Sequence, residues 1–288
     1  MIIITLGLAI PLGQCRSQTK SSIGDGGVKC SWSDWSTWTN CQLLPFLGTQ
    51  HRVSVYRGPS VSCKLNETVQ TRQCQDPRFD FNLEFDSTTI NSDTFLTRDR
   101  KILSNYFIDN HFSDSGRHFQ NYSGAIADHC FTANSKIYFV VAFNITIMKP
   151  LEEETLAFEV AVSEGDQVDS FPYVGDNPNG WSFSVFHYKN EGVLSLAALH
   201  GDDNRLLKNV VDNEKGKTAA GELAFLVDRE REELSLLDGT RFSHKFTEFR
   251  SDKPLCPVFG VFAHGDVKVN LEIKSAKNFT DLFHHFWT

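Results

Sequence analysis

Four cysteines, Cys30, Cys41, Cys63 and Cys74, bracket three tryptophans spaced by three, Trp32, Trp35 and Trp38, with two arginines, Arg52 and Arg72, downstream. A stretch of this size buries too little apolar surface to fold around a core of its own, so cross-links or stacked side chains must stand in for one. Residues for both are present. A guanidinium laid on an indole face contributes roughly 0.5 to 2 kcal/mol, and a cross-link closing about thirty residues adds about 3 to 4 kcal/mol in chain-entropy terms. Four cysteines allow three pairings. The folded part therefore opens with a small stapled module, and whatever follows needs a separate core.

The segment 30–75 resembles a thrombospondin type 1 repeat, a thin three-strand module in which tryptophans of the first strand interleave with arginines of the other two. WSDWSTWTNC matches its first strand, GTQHRVSVYR (48–57) its second and CKLNETVQTRQC (63–74) its third. Ser54 stands where the family usually repeats arginine, and CQLLPFLGTQ replaces the CG pair that carries an O-fucose site and a third bridge. The resemblance implies Cys30 bonded to Cys63 and Cys41 to Cys74. It also implies C-mannosylation at Trp32 and Trp35, and a face carrying Arg52 and Arg72, with Arg57 and Lys64 near, that engages sulfated glycans or receptors.

Ahead of this module, MIIITLGLAIPLG is an apolar run of signal-peptide length, too short to span a bilayer. Gly13 and Cys15 suit the positions before a cleavage point, so 1–15 is expected to be removed, leaving six cysteines. PLGQC also approximates a lipid-attachment box, but Gln14 stands where a small residue is needed. Residues 16–29 are polar and without period, a flexible lead-in. The sequons at Asn66, Asn121, Asn144 and Asn278 agree with export and N-glycosylation. Later segments offer no eighteen-residue apolar run, so stable membrane insertion is not expected.

Charge divides unevenly. Residues 18–78 carry seven Lys/Arg against four Asp/Glu, a net +3, and residues 79–288 carry 20 against 32, a net −12. A domain at −12 is repelled by a phosphate backbone, which argues against nucleic acid as a partner. At +3 the small module should hold a polyanion weakly and in a salt-sensitive manner. Twenty-four phenylalanines against two methionines favour strands over helical bundles. The composition shifts at Pro77, and beyond it apolar runs alternate with turn residues. Strands are predicted over 136–148, 155–163, 181–188, 192–199, 222–228, 234–237, 258–263 and 267–273, with DNPNG, HGDDN and DG as turns. The chain is thus predicted to be all-β, a stapled three-strand module followed by a two-sheet antiparallel sandwich.

The segment 79–275 resembles a PRY-SPRY domain of the kind that ends tripartite-motif proteins and butyrophilins. DSTTINSDTFLTRDRKI (86–102) resembles its opening, RHFQNYSGAIADHCFTANSKIYFVV (117–141) the strand after it and GWSFSVFHY (180–188) the tryptophan-bearing middle strand. GELAFLVDREREELSLLDG (221–239) matches the long hairpin and PLCPVFGVF (254–262) the closing strand, leaving 276–288 as a tail. Asn134-Ser135-Lys136 replaces the usual glycine turn. The resemblance implies binding through loops at one end around a partly exposed aromatic. On this chain that points to Phe186 and Tyr188, with loops 173–180 and 200–205, which carry Tyr173 and Asp202, around them; the alternative places Phe186 in the core. Cys130 and Cys256 are either bridged, as an oxidising compartment allows, or a pair of buried thiols.

Catalytic chemistry is not legible. HExxH, GxSxG, P-loop and dinucleotide patterns are absent from the sequence, as are zinc-type cysteine pairs. His284-His285 reads as a surface pair, Asp176 to Gly180 and Asp202-Asp203-Asn204 as Asx turns, and the charge runs 152–154 and 228–233 as solvated hairpin faces. No enzyme activity, cofactor or metal is therefore expected. The expected product is a secreted recognition or adhesion protein, possessing two modules that bind extracellular protein or sulfated glycan. The alternative is a cytosolic substrate-recognition arm of a ubiquitin ligase, and a lectin-like or carbohydrate-cleaving sandwich rests on fold analogy alone.

Overall fold

The structure, a computed structural model, describes residues 31–37, 42–44, 47–57, 66–74, 79–111, 119–238 and 241–280. The leader, the lead-in, Cys30, Trp38, Cys41, Cys63 and the His284-His285 pair lie outside them, as do the side chains of Trp32, Asn66, Arg72 and Cys74. The chain divides into two units at Asp76 and Pro77.

The first unit is a small antiparallel sheet of β1 (Ser31–Trp32), β2 (Gln42–Leu44), β3 (Leu47–Arg57) and β4 (Asn66–Cys74). β4 lies along one side of β3 from Gly48 to Tyr56, while β1 and β2 take the two ends of the other side. The expected first strand is thus interrupted after two residues, and four strands replace three. Small polar side chains carry the chain through the break. Ser36 donates its amide to the Val53 carbonyl at 2.8 Å and accepts the Val53 amide on Oγ at 2.9 Å, and Ser54 donates Oγ to the Ser33 carbonyl at 2.8 Å. Ser54 is thereby buried. Arg52 lies over the Trp35 ring, 4.9 Å from its centroid, and donates Nε to Gln70 Oε1 at 2.8 Å.

The second unit is an all-β sandwich. Short strands β5 (Asp80–Phe81), β6 (Phe95–Leu96), β7 (Ile102–Ser104) and β8 (Gly124–Ile126) lead in. There follow β9 (Lys136–Ile147), β10 (Thr155–Glu164), β11 (Gly180–His187), β12 (Val193–His200) and β13 (Asp203–Asp212). The chain then runs through β14 (Thr218–Asp228), β15 (Glu233–Asp238), β16 (Arg241–Phe246), β17 (Leu255–Val261) and β18 (Val267–Asn278). One sheet has the order β13-β12-β11-β10-β17-β8, and the other β16-β15-β14-β9-β18-β7-β6 with β5 also on β18. No helix among the described residues is long and apolar enough to cross a membrane.

Alternation builds the core. Phe158, Val160 and Val162 of β10 and Trp181, Phe183 and Val185 of β11 face Phe139, Val141 and Ile145 of β9 and Leu223, Phe225 and Val227 of β14 in one buried cluster. Phe139 stacks on Phe225 at 4.9 Å, and Phe183 meets Phe225 at 5.6 Å across the sheets. Each such ring is worth about 2 to 3 kcal/mol in apolar burial. Cys130 and Cys256 are bonded, beside the bridge that pairs Phe131 with Leu255.

Four expectations need correction. The segment 200–205, expected as a loop, is a tight turn at Gly201-Asp202 followed by β13, a ten-residue strand that the sequence reading missed. β13 is an edge strand whose polar side chains face water, and bulges at Leu207 and Val210 turn those two residues onto the core, which erases the period of two. β16 was also missed, an edge strand with a bulge at Ser243. The sandwich runs past Ser275, since β18 pairs with β9 as far as Asn278 and Phe279 is buried. The run 228–233 is not wholly solvated, because Arg229 is buried, its Nη2 donating to the Ser251 carbonyl at 2.8 Å and its Nη1 to that of Phe249 at 3.5 Å.

Candidate functional site

The face of the six-stranded sheet turned away from the core is built from small and polar residues. Between the inward positions of β10 come Glu159, Ala161 and Ser163, and between those of β11 come Ser182, Ser184 and Phe186. Register places Glu159 opposite Ser184, Ala161 opposite Ser182 and Leu156 opposite Phe186. Segments 119–122 and 168–179 lie over part of this face, where Tyr122, Val168, Val174 and Val258 pack with Ala161 in a second, smaller core.

Glu159 sits fully buried beneath them. Its Oε1 accepts from the Tyr122 hydroxyl and the Val174 amide, both at 2.9 Å, and its Oε2 from Ser182 Oγ at 2.7 Å. Ser182 and Ser184 share a hydrogen at 2.7 Å. Burial raises Glu159 above the usual glutamate range against the pull of these donors, and burial, with Glu159 beside it, raises the Tyr122 hydroxyl well above its ordinary value. The carboxylate therefore fastens the covering segments to the sheet. Asp169 fastens them to each other, accepting from the amides of Gln120, Asn121 and Tyr122 at 2.8 to 3.0 Å. Burial alone would raise Asp169, but the three amides hold it below the usual aspartate range. At Gly180 a Cβ would stand 2.3 Å from the Val174 carbonyl oxygen, so only glycine lets the covering turn approach β11 this closely.

The exposed part of the face is aromatic. Phe186 and Tyr188 are half-buried with ring centroids 5.1 Å apart, and the Tyr188 hydroxyl donates to Asn204 Oδ1 on β13 at 3.0 Å. Tyr173, also half-buried, meets Phe262 edge-on at 5.7 Å, and Phe262 in turn meets Tyr122. Phe262 donates its amide to the Ala157 carbonyl, which sets this second aromatic group on β10 one residue from Leu156, the partner of Phe186. Burial first, then Asp176, Glu159 and Glu154, raise the Tyr173 hydroxyl. Phe186 is thus outward rather than core. Asp202 is exposed in the β12–β13 turn. Asn177 forms the expected Asx turn, its Oδ1 accepting the Asn179 amide at 2.9 Å.

Sequence reasoning missed Glu159, Tyr122 and Phe262. A lone acidic residue inside TLAFEVAVS was the available signal, since a carboxylate in the middle of an apolar strand must find buried donors. Of the sequons, Asn121 is exposed and donates Nδ2 to the Asp169 carbonyl, Asn278 is exposed with Oδ1 accepting from the Thr280 amide, and Asn144 is exposed on the outer face of β9.

No family model matches the chain, and no curated protein matches it. Among solved structures the chain is similar to the PSpry domain of TRIM65, at a TM-score of 0.47 and 16% identity over 68% of this chain and 94% of that one. It is also similar to stonustoxin, at a TM-score of 0.45 and 14% identity over 72% of this chain and 35% of that one.

Proposed function

We propose that the protein is an exported, glycosylated, non-enzymatic recognition protein, in which a thrombospondin-type module and a PRY-SPRY-type sandwich each engage an extracellular target. The sandwich takes a protein, and the small module a protein or a sulfated glycan. The observation that carries the proposal is the outward pair Phe186 and Tyr188, half-buried on a sheet and restrained by the bond from Tyr188 to Asn204. Aromatic anchors inside a polar rim are the composition of binding hot spots, and a ring already held in place loses little freedom on binding. The Cys130–Cys256 bond supports export, because cytosolic reductants keep such pairs apart. Two weak binding modules on one chain multiply each other through effective concentration.

The test is binding of the secreted full chain to cells and matrix. Phe186→Ser with Tyr188→Ser, and separately Arg52→Ala with Arg72→Ala, should each lower binding by about tenfold or more. Full binding by either variant refutes the two-site arrangement. A chain recovered with Cys130 and Cys256 as thiols and with bare asparagines refutes export.

A further inference from the structure

The aromatic face lies among carboxylates that no described cation neutralises. Glu154 and Asp176 are exposed, Asp176 in the short turn that follows Tyr173 and Glu154 at the entry to β10, two residues before Leu156, and they form no ion pair among the described residues. Lys189, next to Tyr188 in sequence, is held by Glu153 at 2.8 Å, and Lys253 is held by Glu164 and Asp166 at 3.0 and 2.9 Å. Beneath them Glu159 is bound only by neutral donors. Ring faces are themselves electron-rich, so the aromatic and acidic groups act in the same direction on an approaching charge. The segment 79–288, at −12, extends that field beyond the face. An acidic peptide or a sulfated glycan is repelled here. A guanidinium is attracted, because it can lie on a ring and hydrogen-bond a carboxylate at once while giving up little hydration.

We infer that this face receives a basic peptide segment of its protein target, with an arginine side chain seated against Tyr173 and paired to Asp176 or Glu154. The inference rests on the proposed function for the location of the face and adds the chemistry of what binds there.

The probe is a fluorescein-labelled peptide, GSRGSRGSRG, titrated into the full chain by anisotropy, beside versions with lysine, glutamine or glutamate in place of arginine. The arginine peptide should bind, the lysine version several-fold more weakly, and the glutamine and glutamate versions not at all. Glu154→Gln with Asp176→Asn should weaken binding about tenfold, and Tyr173→Leu, which keeps the apolar contact with Phe262, about fivefold. Glu222→Gln with Asp109→Asn removes two exposed carboxylates carried by the other sheet, on β14 and after β7, and should change it by less than about twofold. Equal loss in both charge pairs means general attraction to an acidic domain and overturns the inference, as does equal binding of the glutamine peptide. If Phe186→Ser with Tyr188→Ser abolishes binding to cells while the Glu154 and Asp176 pair does not, and the arginine peptide does not compete, the inference fails and the proposed function stands.

Discussion

Replacing Glu159 by alanine and by glutamine separates the two things this buried carboxylate does, accept hydrogen bonds and carry charge. Alanine leaves the Tyr122 hydroxyl, the Val174 amide and Ser182 Oγ without their acceptor. Each orphaned buried donor costs about 1 to 3 kcal/mol, and Ser182 can still turn to Ser184, so the total is about 3 to 5 kcal/mol. For a unit of about 200 residues that lowers the thermal midpoint by about 10 °C. Glutamine keeps Oε1 for Tyr122 and Val174, and its Nε2 donates to Ser182, which passes its own hydrogen to Ser184. The charge disappears from a site without a cation, so E159Q should lie within about 1 kcal/mol of the native protein at neutral pH. The two variants also differ in pH dependence. Because burial raises Glu159, the folded state binds its proton more tightly than the unfolded chain. Its contribution is therefore complete below the ordinary glutamate value and is lost as pH rises through the raised one. The difference in stability between native protein and E159Q, measured by urea unfolding from pH 4 to 8 with the disulfide intact, should move in favour of E159Q over that rise. A glutamine variant as damaged as the alanine variant, or a difference flat in pH, would show that Glu159 is not a buried, uncompensated charge.

Three further outcomes are expected. Replacing Cys130 and Cys256 by serine removes a link across 126 residues and should cost up to about 4 to 5 kcal/mol in chain entropy, read as a lower thermal midpoint that the native protein reproduces on reduction; an unchanged midpoint contradicts this. Arg229→Met leaves the carbonyls of Phe249 and Ser251 without their donor and should cost about 2 to 4 kcal/mol in urea unfolding, with Arg229→Lys intermediate; a loss under about 1 kcal/mol means water replaces the guanidinium. Arg52→Ala removes both the stacking on Trp35 and the bond to Gln70 and should destabilise the small unit by about 1 to 2 kcal/mol, seen as faster hydrogen exchange in β3 and β4 with the sandwich unaffected.

The sandwich was legible where strands bury one or both faces. KIYFVVAFNITI, TLAFEVAVSE and GWSFSVFH declare themselves through apolar density alone. DNRLLKNVVD does not, because an edge strand with two bulges shows water a mostly polar sequence and meets the core through Leu207, Val210 and Val211, at no regular period. The two- and three-residue strands β5 to β8 are too short for any period to appear. Phe186 and Tyr188 were found through a resemblance, and their half-buried state follows from a register no local pattern encodes. Tyr122 and Glu159 stand 37 residues apart in sequence, so their meeting is a product of topology, even though the carboxylate itself was visible in its strand.

The irregular margins of the two sheets have a consequence for crowded solutions. A foreign strand laid along β13 would find its amides out of step at Leu207 and again at Val210, and one laid along β16 would lose phase at Ser243. The opposite rims, at β8 and β6, offer too few residues to template a newcomer. Concentrated sandwich should consequently resist zipping into fibrils, and straightening the kinks by deleting Leu207 and Val210 should release that resistance.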